Sequence, residues 1–146
     1  MFFQLLMGGL VSLAAFGIHA LITGLIVVAT GHIAAATDDL HVFARVTALL
    51  SVTMVVLMVA HVIEIAVWSG FYAAYEIVPD NAEAFAFAFE NYTALGYGDA
   101  VPKEGFRLMG PITALNGLLL IGWSIAIIFE VMRMAEVQIQ RRAPRG

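Results

Sequence analysis

Three long apolar runs limit what this chain can fold into. They cover residues 2–30, 46–72 and 109–129, and Glu64 is the only Asp, Glu, Lys or Arg inside them. A helix that crosses a bilayer needs about 20 mainly apolar residues. The composition, 62% hydrophobic and 12% charged, is too apolar for a small soluble domain. The sequence therefore predicts a membrane protein with three spanning helices. The first run lacks a positively charged start, which favours a span over a signal peptide.

Several classes of protein are excluded by what the sequence lacks. It contains no cysteine, so a disulfide framework, zinc-ribbon sites and thiol catalysis are ruled out. A net charge of −4 leaves no basic surface for nucleic acid. No phosphate-binding loop, nucleophile elbow or other catalytic arrangement is present. We therefore expect neither an enzyme nor a cofactor.

A shorter segment of different character separates the second and third runs. Residues 79–81, Pro-Asp-Asn, form a breaker and a helix start. Phe85, Phe89 and Tyr92 follow at i, i+4 and i+7, the spacing of one helical face. Phe85, Phe87 and Phe89 are expected to pack this helix against the surrounding helices. A helix of this length rises about 16 Å, half a membrane. Irregular backbone after it, at membrane depth, must be buried or line a wet pathway. This arrangement is typical of a pore loop.

The residues after this short helix read Thr-Ala-Leu-Gly-Tyr-Gly-Asp, from Thr93 to Asp99. The string resembles the potassium-channel signature TxxTxGYGD. The resemblance implies an all-α membrane protein with a re-entrant pore helix (82–93) and an extended selectivity filter (94–99). It also implies an outer helix (46–72), an inner helix (109–131) and a basic cytoplasmic tail (132–146). Residues 2–30 would be an additional peripheral span.

The resemblance also implies roles for individual residues. Backbone carbonyls of four chains would replace the hydration shell of K⁺, the permeant ion. The implied ion-binding carbonyls belong to Ala94, Leu95, Gly96 and Tyr97, and the implied filter-supporting residues are Glu90, Thr93, Gly98 and Asp99. Ala94 stands where the family usually has Thr, which predicts a weaker innermost ion site. Two readings of Glu90 stay open. It pairs with Asp99 behind the filter, or it simply terminates the polar edge of the pore helix.

On the third run, Asn116 and Leu120 share a helical face. We hypothesise that Asn116 faces a water-filled cavity. Gly117 and Gly122 either let this helix bend as a gate or permit close helix packing.

Ionisable residues within the runs are also informative, because such groups usually face protein or water. His61 and Glu64 lie three residues apart, on one face. A mutual hydrogen bond, or one between helices, for instance to His19, is the favoured reading, and a proton- or metal-sensing role is the alternative. His32, Asp38, Asp39 and His41 are interpreted as a solvated connector.

Orientation follows from the four arginines of the last fourteen residues, Arg133, Arg141, Arg142 and Arg145. Positive charge stays on the cytoplasmic side, so the C-terminus is predicted inside and the N-terminus outside an inner or plasma membrane. The resulting prediction is a homotetrameric K⁺ channel, and a regulatory partner is compatible with it. The alternatives are a non-conducting or regulatory subunit and a haem-binding membrane protein, which His19 and His32, thirteen residues apart, would permit.

Overall fold

A computed structural model describes residues 1–36, 41–78 and 81–142. In this part of the chain the structure contains four helices: α1 (Phe2–Ala36), α2 (Val42–Ala74), α3 (Asn81–Tyr92) and α4 (Met109–Arg142). Asp38, Asp39, Pro79, Asp80 and Arg145 lie outside the described residues. His32 and His41, at the ends of the connector, are exposed.

The predicted fold class is confirmed, because the described chain is helical and three of its helices are long and apolar enough to span a membrane. These spans are Phe2–His32, Val42–Ala74 and Met109–Val137. Helix is the expected form in lipid, where every backbone polar group must be satisfied within its own segment. α3, with 12 residues, is about 18 Å long and too short to cross. α4 continues through much of the segment that the sequence assigned to a tail.

α1 packs along α2 and α4. Near its start, Gly8 lies so close to α4 that a Cβ there would be 2.9 Å from the Ile112 side chain. At the same end, the Gln4 side-chain oxygen accepts a hydrogen bond of 3.0 Å from the Leu108 N–H. That N–H precedes the first residue of α4 and would otherwise lack a helical partner. α1 therefore contacts the other two long helices directly.

Two apolar layers hold the long helices together. The first layer contains Ala15 of α1, Trp68 and Tyr72 of α2 and Leu120 of α4, with the buried side of α3. The second layer lies toward the other end of the three long helices. It contains Ile26 of α1, Leu49 and Leu57 of α2, and Ile127 and Val131 of α4. His19, Glu64 and Ser124 fall between the layers on their respective helices and are buried. A polar layer is thus enclosed between two apolar ones.

α3 has one buried and one exposed side. Ala84, Phe87, Ala88 and Tyr92 are buried, whereas Phe85 and Phe89 are more than 40% exposed. The helix predicted from the spacing of Phe85, Phe89 and Tyr92 is present, and its buried side within the chain includes Phe87 and Tyr92. Phe85, Phe87 and Phe89 are expected to pack this helix against the surrounding helices; Phe87 does so within the chain, and for Phe85 and Phe89 the packing stays a prediction.

Candidate pore loop and buried polar cluster

α3 ends in a hydrogen-bonded motif that begins the filter segment. The Ala94 N–H donates to the Asn91 carbonyl (2.9 Å) and the Leu95 N–H donates to the Glu90 carbonyl (2.8 Å). These two bonds are those of a Schellman motif, whose C′ residue is left-handed. Ala94 has this conformation, with φ of 57°. The helix is thus terminated, and the chain enters the candidate filter segment 94–99 at a defined angle.

The sign of φ alternates along the filter segment. Ala94, Gly96 and Gly98 have φ of 57°, 116° and 55°, whereas Leu95 and Tyr97 are not in the positive-φ region. Where right- and left-handed backbone alternate, successive N–H groups point to one side. The glycines at 96 and 98 allow this at little steric cost.

Tyr97 folds its side chain back onto its own subunit. Its hydroxyl donates to the Arg107 carbonyl (3.0 Å), and its ring stacks on Phe87 with 5.6 Å between centroids. Gly110, near the start of α4, makes room, because a Cβ there would be 2.3 Å from the Tyr97 ring. Burial raises the pKa of the Tyr97 phenol, which keeps the hydroxyl protonated as the donor. The side chain is thereby anchored between α3 and α4.

Glu90 lies directly behind the filter segment. Both of its carboxylate oxygens are 2.8 Å from the position that a Cβ on Gly98 would occupy. Gly98 is therefore required twice, for its positive φ and for this close contact. Asp99 is exposed, and no hydrogen bond joins it to Glu90 in the described structure. Thr93 is also exposed, and its hydroxyl donates to the Phe89 carbonyl (2.9 Å).

The hypothesis that Asn116 faces a water-filled cavity is wrong. Asn116 is 2% exposed, and its Oδ1 accepts a hydrogen bond of 2.9 Å from Trp68 Nε1. Leu120 does share its face, as predicted, but is fully buried. This face of α4 packs inside the chain because the indole of α2 offers the amide a partner away from water.

The two glycines of α4 have different surroundings. A Cβ on Gly117 would be 1.9 Å from the Tyr92 carbonyl oxygen, whereas a Cβ on Gly122 would meet nothing within 4 Å. Gly117 thus permits α4 to pack against the end of α3, which favours the packing interpretation there. Gly122 lies on the exposed face and stays a candidate for a bend.

A buried polar cluster connects all four helices. His19 Nδ1 of α1 lies 2.8 Å from Glu64 Oε1, and His61 Nδ1 lies 3.1 Å from Glu64 Oε2. The interhelical bond predicted between His19 and Glu64 is confirmed. The Tyr92 hydroxyl, at the end of α3, donates to Glu64 Oε2 and lies 2.8 Å from His61 Nδ1.

Ser124 of α4 completes the cluster. Its Oγ lies 2.9 Å from His61 Nε2 and 3.4 Å from His19 Nε2. Sequence reasoning missed both Ser124 and Tyr92 here. A polar residue on the buried stripe of each neighbouring helix is the signal that could have identified them. His19 is fully buried, and Glu64 and Ser124 lie within hydrogen-bonding distance of its two ring nitrogens.

The fold and the loop together define a multi-pass membrane protein in which a short helix and a glycine-containing segment lie between two of the spans. Residues 60–134, just over half of the chain, match the family model for ion channels. The chain belongs to this ion-channel family. The match begins in the second half of α2 and includes α3, the filter segment and most of α4, while α1 lies outside it. No curated protein and no solved structure matches the chain.

Proposed function

We propose that this protein is the subunit of a tetrameric channel that conducts K⁺ through the backbone carbonyls of Ala94, Leu95, Gly96 and Tyr97. The main observation that supports this proposal is the alternation in the sign of φ along this segment. We expect this alternation to turn successive carbonyls to one side. A ring of such carbonyls can replace the hydration shell of K⁺. Anchoring of the Tyr97 side chain between α3 and α4 supports the same function, since it leaves the carbonyl side free of that ring.

The surroundings of the filter in the single chain support an oligomer. Leu95 is 80% exposed, and an open cavity of about 300 Å³ lies beside the filter, between α3 and the start of α4. One pore loop cannot enclose an ion path, so several chains must contribute. Neighbouring subunits of a homotetramer would cover these surfaces. The arginines of the C-terminal segment support a cytoplasmic C-terminus and an external N-terminus in an inner or plasma membrane.

The proposal is tested by K⁺ flux into liposomes that contain the purified protein, with Na⁺ and Ba²⁺ as comparison ions. We expect K⁺ flux to exceed Na⁺ flux, and Ba²⁺ to block. Gly96→Ala should abolish K⁺ flux, because φ of 116° is disallowed for an L-residue. Gly24→Ala is the matched control, since a Cβ there meets nothing within 4 Å.

Ala94 lacks the hydroxyl that the family pattern usually has at this position, so we expect the innermost ion site to be weak. A folded oligomer without K⁺ flux at any pH or voltage would contradict the channel proposal. It would favour a non-conducting or regulatory subunit.

A further inference from the structure

The proposed ion path does not use the cluster of His19, His61 and Glu64. The cluster nevertheless places three metal-ligating side chains together in the interior of the helix bundle. One ligand atom from each lies within 4.8 Å of the others. His19 comes from α1, outside the matched ion-channel region, and the other two come from α2. The cluster is therefore a feature of this particular chain as well as of its pore domain.

The spacing of the donor atoms suits a small metal ion. Zn²⁺ binds imidazole nitrogen and carboxylate oxygen at about 2.0–2.2 Å, so tetrahedral ligand atoms lie about 3.3 Å apart. The His19–Glu64 and His61–Glu64 distances are 2.8 and 3.1 Å. Opening each contact by a few tenths of an ångström would admit the ion in place of the two hydrogen bonds.

The orientation of the two imidazole rings fits the same role. Both rings direct Nδ1 toward Glu64 and Nε2 toward Ser124 Oγ. A metal-binding histidine needs a free lone pair on one nitrogen and usually donates the other N–H to a nearby acceptor. With the proton on Nε2, each ring would offer Nδ1 to the ion and donate to the same serine oxygen, which has two lone pairs.

Charge also favours a cation at this position. Glu64 is fully buried, and its side-chain partners in the described structure are His19, His61 and Tyr92. None of these carries a fixed positive charge. A buried carboxylate is costly unless it is paired with a cation or binds a metal. His61 is 19% exposed in the single chain, which provides a side from which an ion can enter.

We propose that His19, His61 and Glu64 form a binding site for a divalent transition-metal ion, and that Zn²⁺ suits their nitrogen and oxygen donors best. Ser124 acts as the positioning residue that accepts from both imidazoles. The Tyr92 hydroxyl contacts both His61 and Glu64, and a water molecule would supply the fourth ligand. Because Tyr92 ends the pore helix, two residues before Ala94, the bound ion would connect α1 to the base of the filter segment.

The test is direct binding of Zn²⁺ to the purified full-length protein in detergent, without a polyhistidine tag. Titration calorimetry gives affinity and stoichiometry, and Co²⁺ in place of Zn²⁺ gives a visible absorption band that reports nitrogen and oxygen ligands. We expect one ion per chain. His19→Gln, His61→Gln and Glu64→Gln should each weaken binding by about 100-fold or more, and Ser124→Ala by about 10- to 100-fold.

The matched control is the double variant His32→Gln/His41→Gln, which removes the other two of the four histidines of the chain. It should bind Zn²⁺ as the wild type does. Circular dichroism and gel filtration establish that each variant is folded. The proposal is overturned if folded wild-type protein binds no more Zn²⁺ than His19→Gln, or if the control loses binding equally. Neither readout depends on ion conduction, so failure of this proposal is distinguishable from failure of the channel proposal.

Discussion

Two left-handed residues end two helices in the same way. Glu76, after α2, has φ of 48°, and its N–H donates to the Ala73 carbonyl while the Ile77 N–H donates to the Tyr72 carbonyl. Ala94 repeats this pattern after α3. Neither position is a glycine, although glycine is the usual residue in this conformation. At Ala94 the same conformation also starts the alternation that continues through Gly96 and Gly98.

Glu76→Gly should stabilise the protein by up to about 1 kcal/mol, because an L-residue is disfavoured in the left-handed region by about that amount. Thermal unfolding in detergent measures the change. Glu104→Gly is the matched control: Glu104 is exposed without a positive φ, so added backbone freedom should destabilise by about 0.5 kcal/mol. Equal effects of the two substitutions would contradict the prediction.

Among the elements, α4 has one buried face and one exposed face. Asn116, Leu120, Ser124 and Val131 are buried against the other helices of the chain. The opposite face contains Leu115, Leu118, Leu119, Gly122 and Ile125 and is exposed. In an oligomer, this second face is available to line a cavity or contact another subunit. Of the residues that the sequence suggested for a cavity or gate, only Gly122 lies on the exposed face of α4. The other three, Asn116, Gly117 and Leu120, are buried.

Gly117→Ala should destabilise the protein by about 2 kcal/mol or more, because its Cβ would overlap the Tyr92 carbonyl and force α3 away from α4. Gly122→Ala should leave stability unchanged or raise it by up to about 1 kcal/mol, through higher helix propensity. Thermal unfolding of both variants checks the difference. Similar melting temperatures would argue against close packing at Gly117.

Water accessibility of α4 can be measured directly, because the chain has no cysteine. If Gly122 faces the cavity, Gly122→Cys in the liposome-reconstituted protein should react with a charged, membrane-impermeant thiol reagent. Asn116→Cys should be protected, because this position is buried against Trp68 of α2. Rapid modification of Asn116→Cys in folded protein would restore the cavity hypothesis for that residue.

At the scale of the whole molecule, α1 is an integral part of the bundle. It contacts α2 and α4 and supplies the His19 partner of Glu64, although it lies outside the region that matches the ion-channel family. Its outer surface is apolar and exposed, as expected for a helix in lipid. The buried charge of Glu64 thus depends on a helix that the pore loop itself does not require.

Removal of residues 1–36 should reverse the effect of a substitution at Glu64. In the full-length protein, with a chelator present, Glu64→Gln should destabilise by about 1–3 kcal/mol through weaker hydrogen bonds. In the truncated protein, Glu64 has lost His19 and faces lipid, where a carboxylate is costly, so Glu64→Gln should stabilise. Thermal unfolding of the four proteins gives the comparison. Destabilisation in both backgrounds would show that His19 does not support the charge.

The three long apolar helices, the short helix before the glycines and the ion-channel family were determined by the sequence alone. The physical reason is that each feature depends on one continuous stretch of sequence. The helices depend on apolar stretches long enough to cross a bilayer, and the family depends on the motif at residues 93–99. The helix bounds at 36, 74 and 142 were less accessible to sequence reasoning, because hydropathy does not mark where a helix ends outside the apolar region.

Only the tertiary structure decided which polar residues meet. Asn116 carries the same sequence signal whether it faces water or Trp68, and helix rotation determines the choice. Likewise, His19 and Ser124 are far apart in the chain and come together because α1 packs directly against α4 as well as α2. Contacts of this kind depend on how helices rotate and pair, and no local pattern of residues specifies that.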